Sequence, residues 1–269
     1  MSESDASSFR KPAEAYDRYV GRYGPALAAE LLGWIGVDPE WRVLDVGSGP
    51  GPLTKALADA VGASNVAAAE PSEPFAQACR ERVPGADVRD ASAEDLPFAD
   101  GSFDATLSQL VVNFLSDPPA GVKEMRRVTR PDGLIAASVW DYAGEMTMLR
   151  AFWDAAIETD PGRAESADEG RRMRYGRPDA LAELWTGTGL LDVATDSIVV
   201  RAGYQDFEDL WIPFMAGIGP AGAYCASLSD TDRAELEDRY RRRLGSPEGP
   251  FELSARAWVV RGRVPGSAG

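Results

Sequence analysis

Short apolar runs and segments of helical period alternate along the first half of the chain. Arg42–Val46, Asn65–Glu70, Ala86–Arg89 and Phe103–Gln109 read as strands. Between them, Leu53–Val61 sets Leu53, Leu57 and Val61 on one helical face. Glu73–Arg82 opens after Ser72, an N-cap residue type, with Pro74 in its first turn. Pro119–Thr129 turns Val122, Met125 and Val128 to one side, and the Pro131-Asp132-Gly133 turn leads into Leu134–Trp140. That last run is nearly all apolar, as expected of a parallel strand covered on both faces. Alternation at this spacing predicts an α/β, Rossmann-like open sheet, mostly parallel, with helices on both faces.

The rhythm changes beyond Trp140. Gly144–Glu158 carries Met146, Leu149, Trp153 and Ile157 on one helical stripe, whereas Asp160 to Gly176 is charged and predicts a mobile connection. Pro178–Trp185 reads as a helix ended by Gly187 and Gly189, and Leu191–Val200 as a strand. Ala202–Gly249 is aromatic-rich and holds the helix Asp230–Leu244, with acids at its start and Arg241, Arg242 and Arg243 at its end. Glu252–Val260 is a final alternating strand. Pro12 to Leu32 reads as helical segments broken at Gly24-Pro25, preceded by a disordered tail. The predicted organisation is one structural domain with a cap. Residues 1–140 hold N-terminal lid helices and a binding core, 141–177 a first lid insertion, 178–201 more core, 202–249 a second, mainly helical lid insertion, and 250–262 the last core strand.

Composition narrows the chemistry. The 269 residues carry a formal net charge of -15, which disfavours a phosphate backbone or an anionic membrane as partner. No apolar run approaches the ~18 residues needed to span a bilayer. Residues Met1 to Ser8 lack the apolar stretch of a signal peptide, so the expected location is cytoplasmic. Cys79 and Cys225 stand in unrelated contexts and give neither a disulfide framework nor a metal-spaced pair, so no metal is expected. The chain contains no histidine, which removes every mechanism built on imidazole.

The candidate chemistry concentrates in Val43-Leu44-Asp45-Val46-Gly47-Ser48-Gly49-Pro50-Gly51. A strand ending beside a carboxylate and followed by a glycine turn and a helix is the pattern of a nucleotide-type cofactor site. A dinucleotide fingerprint would place glycine at position 52, where this chain has Pro52. Asp45 would repel a pyrophosphate but could pair with an ammonium group. The ligand indicated is cationic with an adenosine attached, namely S-adenosylmethionine.

Here the sequence resembles the class I S-adenosylmethionine-dependent methyltransferases, in particular the small-molecule group that includes the ubiquinone/menaquinone-biosynthesis type. The resemblance runs in order through Val43–Gly51, Ala69-Glu70-Pro71-Ser72, Ala93-Glu94-Asp95-Leu96-Pro97-Phe98, Ser102-Phe103-Asp104, Glu124–Val128 and Arg130-Pro131-Asp132-Gly133. It covers the first 140 residues or so well and the remainder loosely. It implies an antiparallel last strand and a turn, Asp45, Gly47, Ser48, Gly49, Gly51 and Leu53, lying against the methionine part and ribose of the cofactor. It further implies Glu70 on the ribose hydroxyls, with Pro71, Ser72 and Phe75 nearby. Ser92, Ala93 and Glu94 stand at the adenine, Ser92 replacing the family's usual Asp. Gln109 and Leu110 approach the methionine amino group and the transferred methyl, and Tyr16 and Arg22 lie in the segment that folds over the cofactor.

The implied reaction is in-line displacement at the sulfonium methyl, giving S-adenosylhomocysteine and a methylated small molecule, by proximity and without a histidine base. Asn113, Asp141 and Tyr142 are the candidate catalytic residues, and the protein is expected to act as a monomer or homodimer. Two other readings remain open at this level: a methyltransferase-fold protein that uses the cofactor for a non-methylating reaction, and an NAD(P)-dependent reductase.

Overall fold

The computed structural model describes residues 13–266. The disordered tail expected before Pro12, Pro12 itself and the signal-peptide reading of residues 1–8 lie outside these. A seven-stranded sheet has the order β3-β2-β1-β4-β5-β7-β6. The strands are β1 (Val43–Val46), β2 (Val66–Ala69), β3 (Asp87–Arg89), β4 (Phe103–Gln109), β5 (Thr129–Trp140), β6 (Leu191–Tyr204) and β7 (Phe251–Arg263). β1 pairs in parallel with both β2 and β4, β2 with β3, and β4 with β5. β7 runs against β5. The N–H of Asp132 donates to the Val264 carbonyl, and farther along that of Asp141 donates to the Arg256 carbonyl. The fold is therefore Rossmann-like, mostly parallel with an antiparallel last strand.

The described residues fall into two compact units. Residues 24–139, 175–198 and 257–266 make one, and residues 13–23, 140–174 and 199–256 make the other. In the first, α2 (Gly24–Ile35), α3 (Pro52–Val61), α4 (Glu73–Arg82), α5 (Pro118–Val128) and α9 (Pro178–Gly187) accompany the parallel strands. Its core joins Leu44 and Val46 of β1, Ile135, Ala137 and Val139 of β5, Val122 and Met125 of α5, and Trp185 of α9. β1 and β2 are buried at every position, which is why their sequences read as unbroken apolar runs interrupted only by Asp45. β5 begins earlier than expected. Thr129 already pairs with Phe103, and the register shifts before Ala105 meets Leu134, so the Pro-Asp-Gly turn is a bulge within the strand.

The second unit is helical, with α1 (Ala13–Arg18), α6 (Thr147–Thr159), α7 (Pro161–Ala167), α8 (Glu169–Arg172), α10 (Phe207–Met215), α11 (Gly219–Ala226) and α12 (Asp230–Arg243). Phe152 is its hub, stacked on Phe214 at 4.5 Å between ring centroids and edge-on to Trp153, Tyr224 and Tyr240. The charged stretch after Asp160 is not an open connection. It forms α7 and α8, and its acids are interior partners: Asp168 pairs with Arg150 at 2.9 Å, while Glu169 accepts the indole N–H of Trp153. Charge spacing alone does not reveal that a carboxylate has a buried partner. Among the described residues, no helix is long and apolar enough to cross a membrane.

Candidate active site

Strand order locates the site. β1 lies between β2 and β4, so the chain leaves β1 toward one side of the sheet and returns at β4 on the other. Ligands of open α/β sheets bind at the carboxyl ends of strands where the order reverses in this way. The turn after β1 is tied to the end of β2, because the N–H groups of Gly47 and Ser48 both donate to the Ala69 carbonyl, at 2.8 and 3.2 Å. Gly47 has φ +71°, and a Cβ on it would stand 2.5 Å from a methyl of Val111 beyond β4. Gly49 also has positive φ, +54°, but a Cβ there would meet nothing within 4 Å. One glycine allows close packing of the turn on the segment after β4. The other leaves the backbone bare where space remains. Gly51, at φ +92°, caps α3, whose Pro52 and buried Leu53 begin the helix.

Two buried carboxylates flank the turn. Glu70, after β2, accepts the Gly49 N–H at 2.8 Å on one oxygen and the Ser72 N–H at 2.9 Å on the other. Burial pushes its pKa up while these two backbone bonds pull it down. A carboxylate has about four lone-pair positions, so each Glu70 oxygen keeps one for a ligand hydroxyl. Asp45 is fully buried on β1. One oxygen accepts the Thr54 hydroxyl at 2.7 Å, and the other is buried without a partner. Loss of solvent is the largest cause raising the Asp45 pKa to about 7; the Thr54 hydrogen bond opposes it and the charge of Glu70 adds to it.

The end of β4 supplies the opposite wall of the crevice. Gln109 donates its side-chain amide to the Gly24 carbonyl at 3.2 Å, and its own Oε1 is buried and unpaired. Leu110 takes the left-handed conformation, φ +66°, and donates its N–H to the Ser138 carbonyl at 2.8 Å. A branched residue held there stores roughly 1–3 kcal/mol of strain, which sets the direction of the chain leaving the strand. Two residues beyond Val111, Asn113 accepts the Tyr175 N–H at 2.9 Å on Oδ1, and its Nδ2 is buried without a partner.

The other candidates of this unit stand around the same strand ends. Pro71 is exposed and Ser72 half-buried, with its hydroxyl unpaired; Phe75 is buried on α4. Ser92 is half-buried and Ala93 buried. Asp90, the nearest acid to Ser92 on its N-terminal side, is held by Arg80 at 2.6 Å. Glu94 is occupied in capping, because one of its oxygens accepts the N–H groups of Ser116 and Asp117 ahead of α5.

The remaining candidates belong to the helical unit. Tyr16 is half-buried in α1, and its carbonyl accepts the Tyr19 N–H. Arg22 forms an ion pair with Asp209 at 3.1 Å, donates to the Gly203 and Arg18 carbonyls, and lies over the Tyr204 ring. Asp141 accepts the Glu145 N–H at 2.8 Å and the Arg256 guanidinium at 2.6 Å on one oxygen. Tyr142 is buried, which holds its phenol well above the usual range. Desolvated Tyr142 stays protonated at neutral pH and is a poor proton acceptor. Sequence reasoning missed Thr54, Val111 and Tyr175. Thr54 had a readable signal, since it is the first polar residue on the inner face of α3 after the turn; the other two act through contacts no motif encodes.

Known proteins share sequence and fold with this chain. Residues 44–137 match the methyltransferase-domain family model. Malonyl-[acyl-carrier protein] O-methyltransferase of Erwinia pyrifoliae is 29% identical over 77% of this chain and 84% of its own length. The protein of the same description from Halorhodospira halophila is 27% identical over 97% of this chain and 87% of its own. Among solved structures, Haemonchus contortus phosphoethanolamine N-methyltransferase 2, in complex with phosphomonomethylethanolamine and S-adenosylhomocysteine, aligns with a TM-score of 0.55. That alignment has 14% identity and covers 89% of this chain and 52% of the other. Residues 44–137 are thus a methyltransferase domain of the class I S-adenosylmethionine-dependent type, with the glycine turn between two buried acids after its first strand.

Proposed function

We propose that the protein transfers a methyl group from S-adenosylmethionine to a small-molecule acceptor by in-line displacement, with no imidazole base. The observation that carries the reading is the pair of unpaired buried acceptors, Asp45 Oδ1 and Gln109 Oε1, toward the ends of the adjacent strands β1 and β4. Buried acceptors without donors are costly, by about 1–3 kcal/mol each, and an ammonium group supplies the missing donors. Glu70 fits the adjacent hydroxyls of a ribose, and the half-buried Ser92 with the Ala93 backbone fits an adenine edge. When bound, the cofactor supplies a methyl group already activated by its sulfonium charge. The chain's own contribution is to hold and orient. In this reading Gly47–Gly51 and Leu110 fix the backbone path around the donor, Glu70 keeps the turn in register, and Asn113, past the end of β4, faces the acceptor. A base is not required of Asp141 or Tyr142 in this reading, and an acceptor that arrives ionised needs none. Incubation with S-adenosylmethionine and a panel of ionised small acceptors tests the proposal. Stoichiometric S-adenosylhomocysteine and methylated product support it; turnover without methylated product contradicts it.

A second reading, methylation of a carboxyl carried on an acyl carrier protein, is favoured by the similarity to the Erwinia and Halorhodospira enzymes over most of both chains.

A further inference from the structure

The two amide side chains at the end of β4 face opposite chemical needs. Gln109 is anchored as a donor and leaves an acceptor free, whereas Asn113 is anchored as an acceptor and leaves a donor free. The anchors fix the orientation of each amide. Only Oδ1 of Asn113 can accept the Tyr175 N–H, so the unpaired atom is Nδ2, and only Nε2 of Gln109 can donate to the Gly24 carbonyl. Both bracket Val111, whose methyl lies against Gly47 of the cofactor turn. A free acceptor suits a cation, and a free donor suits an oxygen bearing negative charge.

We propose that Asn113 is the residue that reads the methyl acceptor, donating Nδ2–H to one oxygen of a carboxylate whose other oxygen takes the methyl group. The inference rests on the methyltransferase reading above and names its substrate class. The atoms balance without a base. A carboxylate oxygen forms a bond to the methyl carbon while the carbon–sulfur bond breaks, and its electron pair stays on sulfur. One negative and one positive charge cancel, and no proton moves. This agrees with a chain that has no histidine, whose Asp141 is held by Arg256 and whose Tyr142 is buried. A neutral donor also suits the role, since it orients the carboxylate without neutralising the nucleophile.

The test uses the full chain saturated with S-adenosylhomocysteine. Calorimetry measures binding of free malonate and of the malonyl N-acetylcysteamine thioester, with ethanolamine as the cationic control. Asn113→Asp keeps the acceptor for the Tyr175 N–H and replaces the free donor with an anionic oxygen. We expect it to weaken carboxylate binding ~10–100-fold while S-adenosylhomocysteine affinity is kept, as loss of a hydrogen bond to a charged group requires. We also expect malonate or its thioester to shift the Asn113 side-chain amide signal downfield in the wild-type protein. Preference for the thioester over free malonate identifies a tethered acyl group as the source, and the reverse a free acid. Equal carboxylate binding by the variant, or binding of ethanolamine in place of both carboxylates, overturns the assignment of Asn113 and leaves the cofactor reading standing. Failure of the wild-type protein to bind S-adenosylhomocysteine at all overturns both.

Discussion

The hydroxyl of Thr54 donates to one oxygen of the Asp45 carboxylate at 2.7 Å in a position closed to solvent, and the other oxygen is buried without a partner. The unpaired oxygen belongs to a buried acid on the strand that leads into the glycine turn. Burial, opposed by the Thr54 hydrogen bond, raises the pKa of this acid to about 7.

The sign of the resulting pH effect is fixed. A carboxyl whose folded pKa is raised contributes stability that is fully present below its ordinary value, near 3.8, and is lost as pH rises through about 7. Ligand-free protein should therefore lose stability across that window. Binding of an ammonium-bearing cofactor needs the ionised form and should strengthen over the same range, by up to roughly tenfold per pH unit below 7. Calorimetry at pH 6 in buffers of different ionisation heat should show a proton released on binding. Absence of proton release would separate Asp45 from the ligand.

Glu70 joins the turn to the segment after β2 and also offers acceptors to a ligand. Glu70→Gln retains the shape but loses the charge and one acceptor. S-adenosylhomocysteine affinity should fall ~10–100-fold, as expected for charge-assisted hydrogen bonds. Affinity within error of wild type, measured by calorimetry, would remove Glu70 from the site.

The two glycines of the turn should behave differently. Gly47→Ala combines positive φ with a Cβ driven into Val111, and should destabilise by about 2–5 kcal/mol. Pairing it with Val111→Ala should recover the steric part and leave the backbone part. Gly49→Ala has positive φ but open space, so its stability cost should stay near 1–2 kcal/mol while cofactor binding is largely abolished. Denaturant melts alongside binding titrations separate the two. Strong cofactor binding by folded Gly49→Ala would mean that the open space is not where the ligand lies.

Asp141 should prove structural. Its carboxylate holds Arg256 and the Glu145 N–H, so Asp141→Asn should lower the melting temperature and cost about 1–3 kcal/mol, with turnover per folded molecule retained. A large fall in kcat at unchanged stability would restore it as a catalytic candidate.

Much of the core was legible because periodicity and burial coincide there. β1 and β2 are buried on all sides, so their sequences carry the apolar signal undiluted, and Gly47 and Gly49 announce a turn only glycine makes easily. The helical unit was harder to read because its polar residues are used internally. The acid-rich run around Asp168 and Glu169 looks like solvated chain until Arg150 and Trp153 are known to meet it. Contacts between distant segments escape any local pattern. Val111 against Gly47 and Tyr175 against Asn113 depend on where the fold returns the chain, and it is these contacts that shape the crevice.

The most direct test of the central claim is calorimetric titration of the wild-type chain and of folded Gly49→Ala with S-adenosylhomocysteine at pH 7.5. One site is expected on the wild-type protein, with a Kd on the order of micromolar, and loss of most of that affinity in the variant. No binding by the wild-type protein, or equal binding by both, would contradict it.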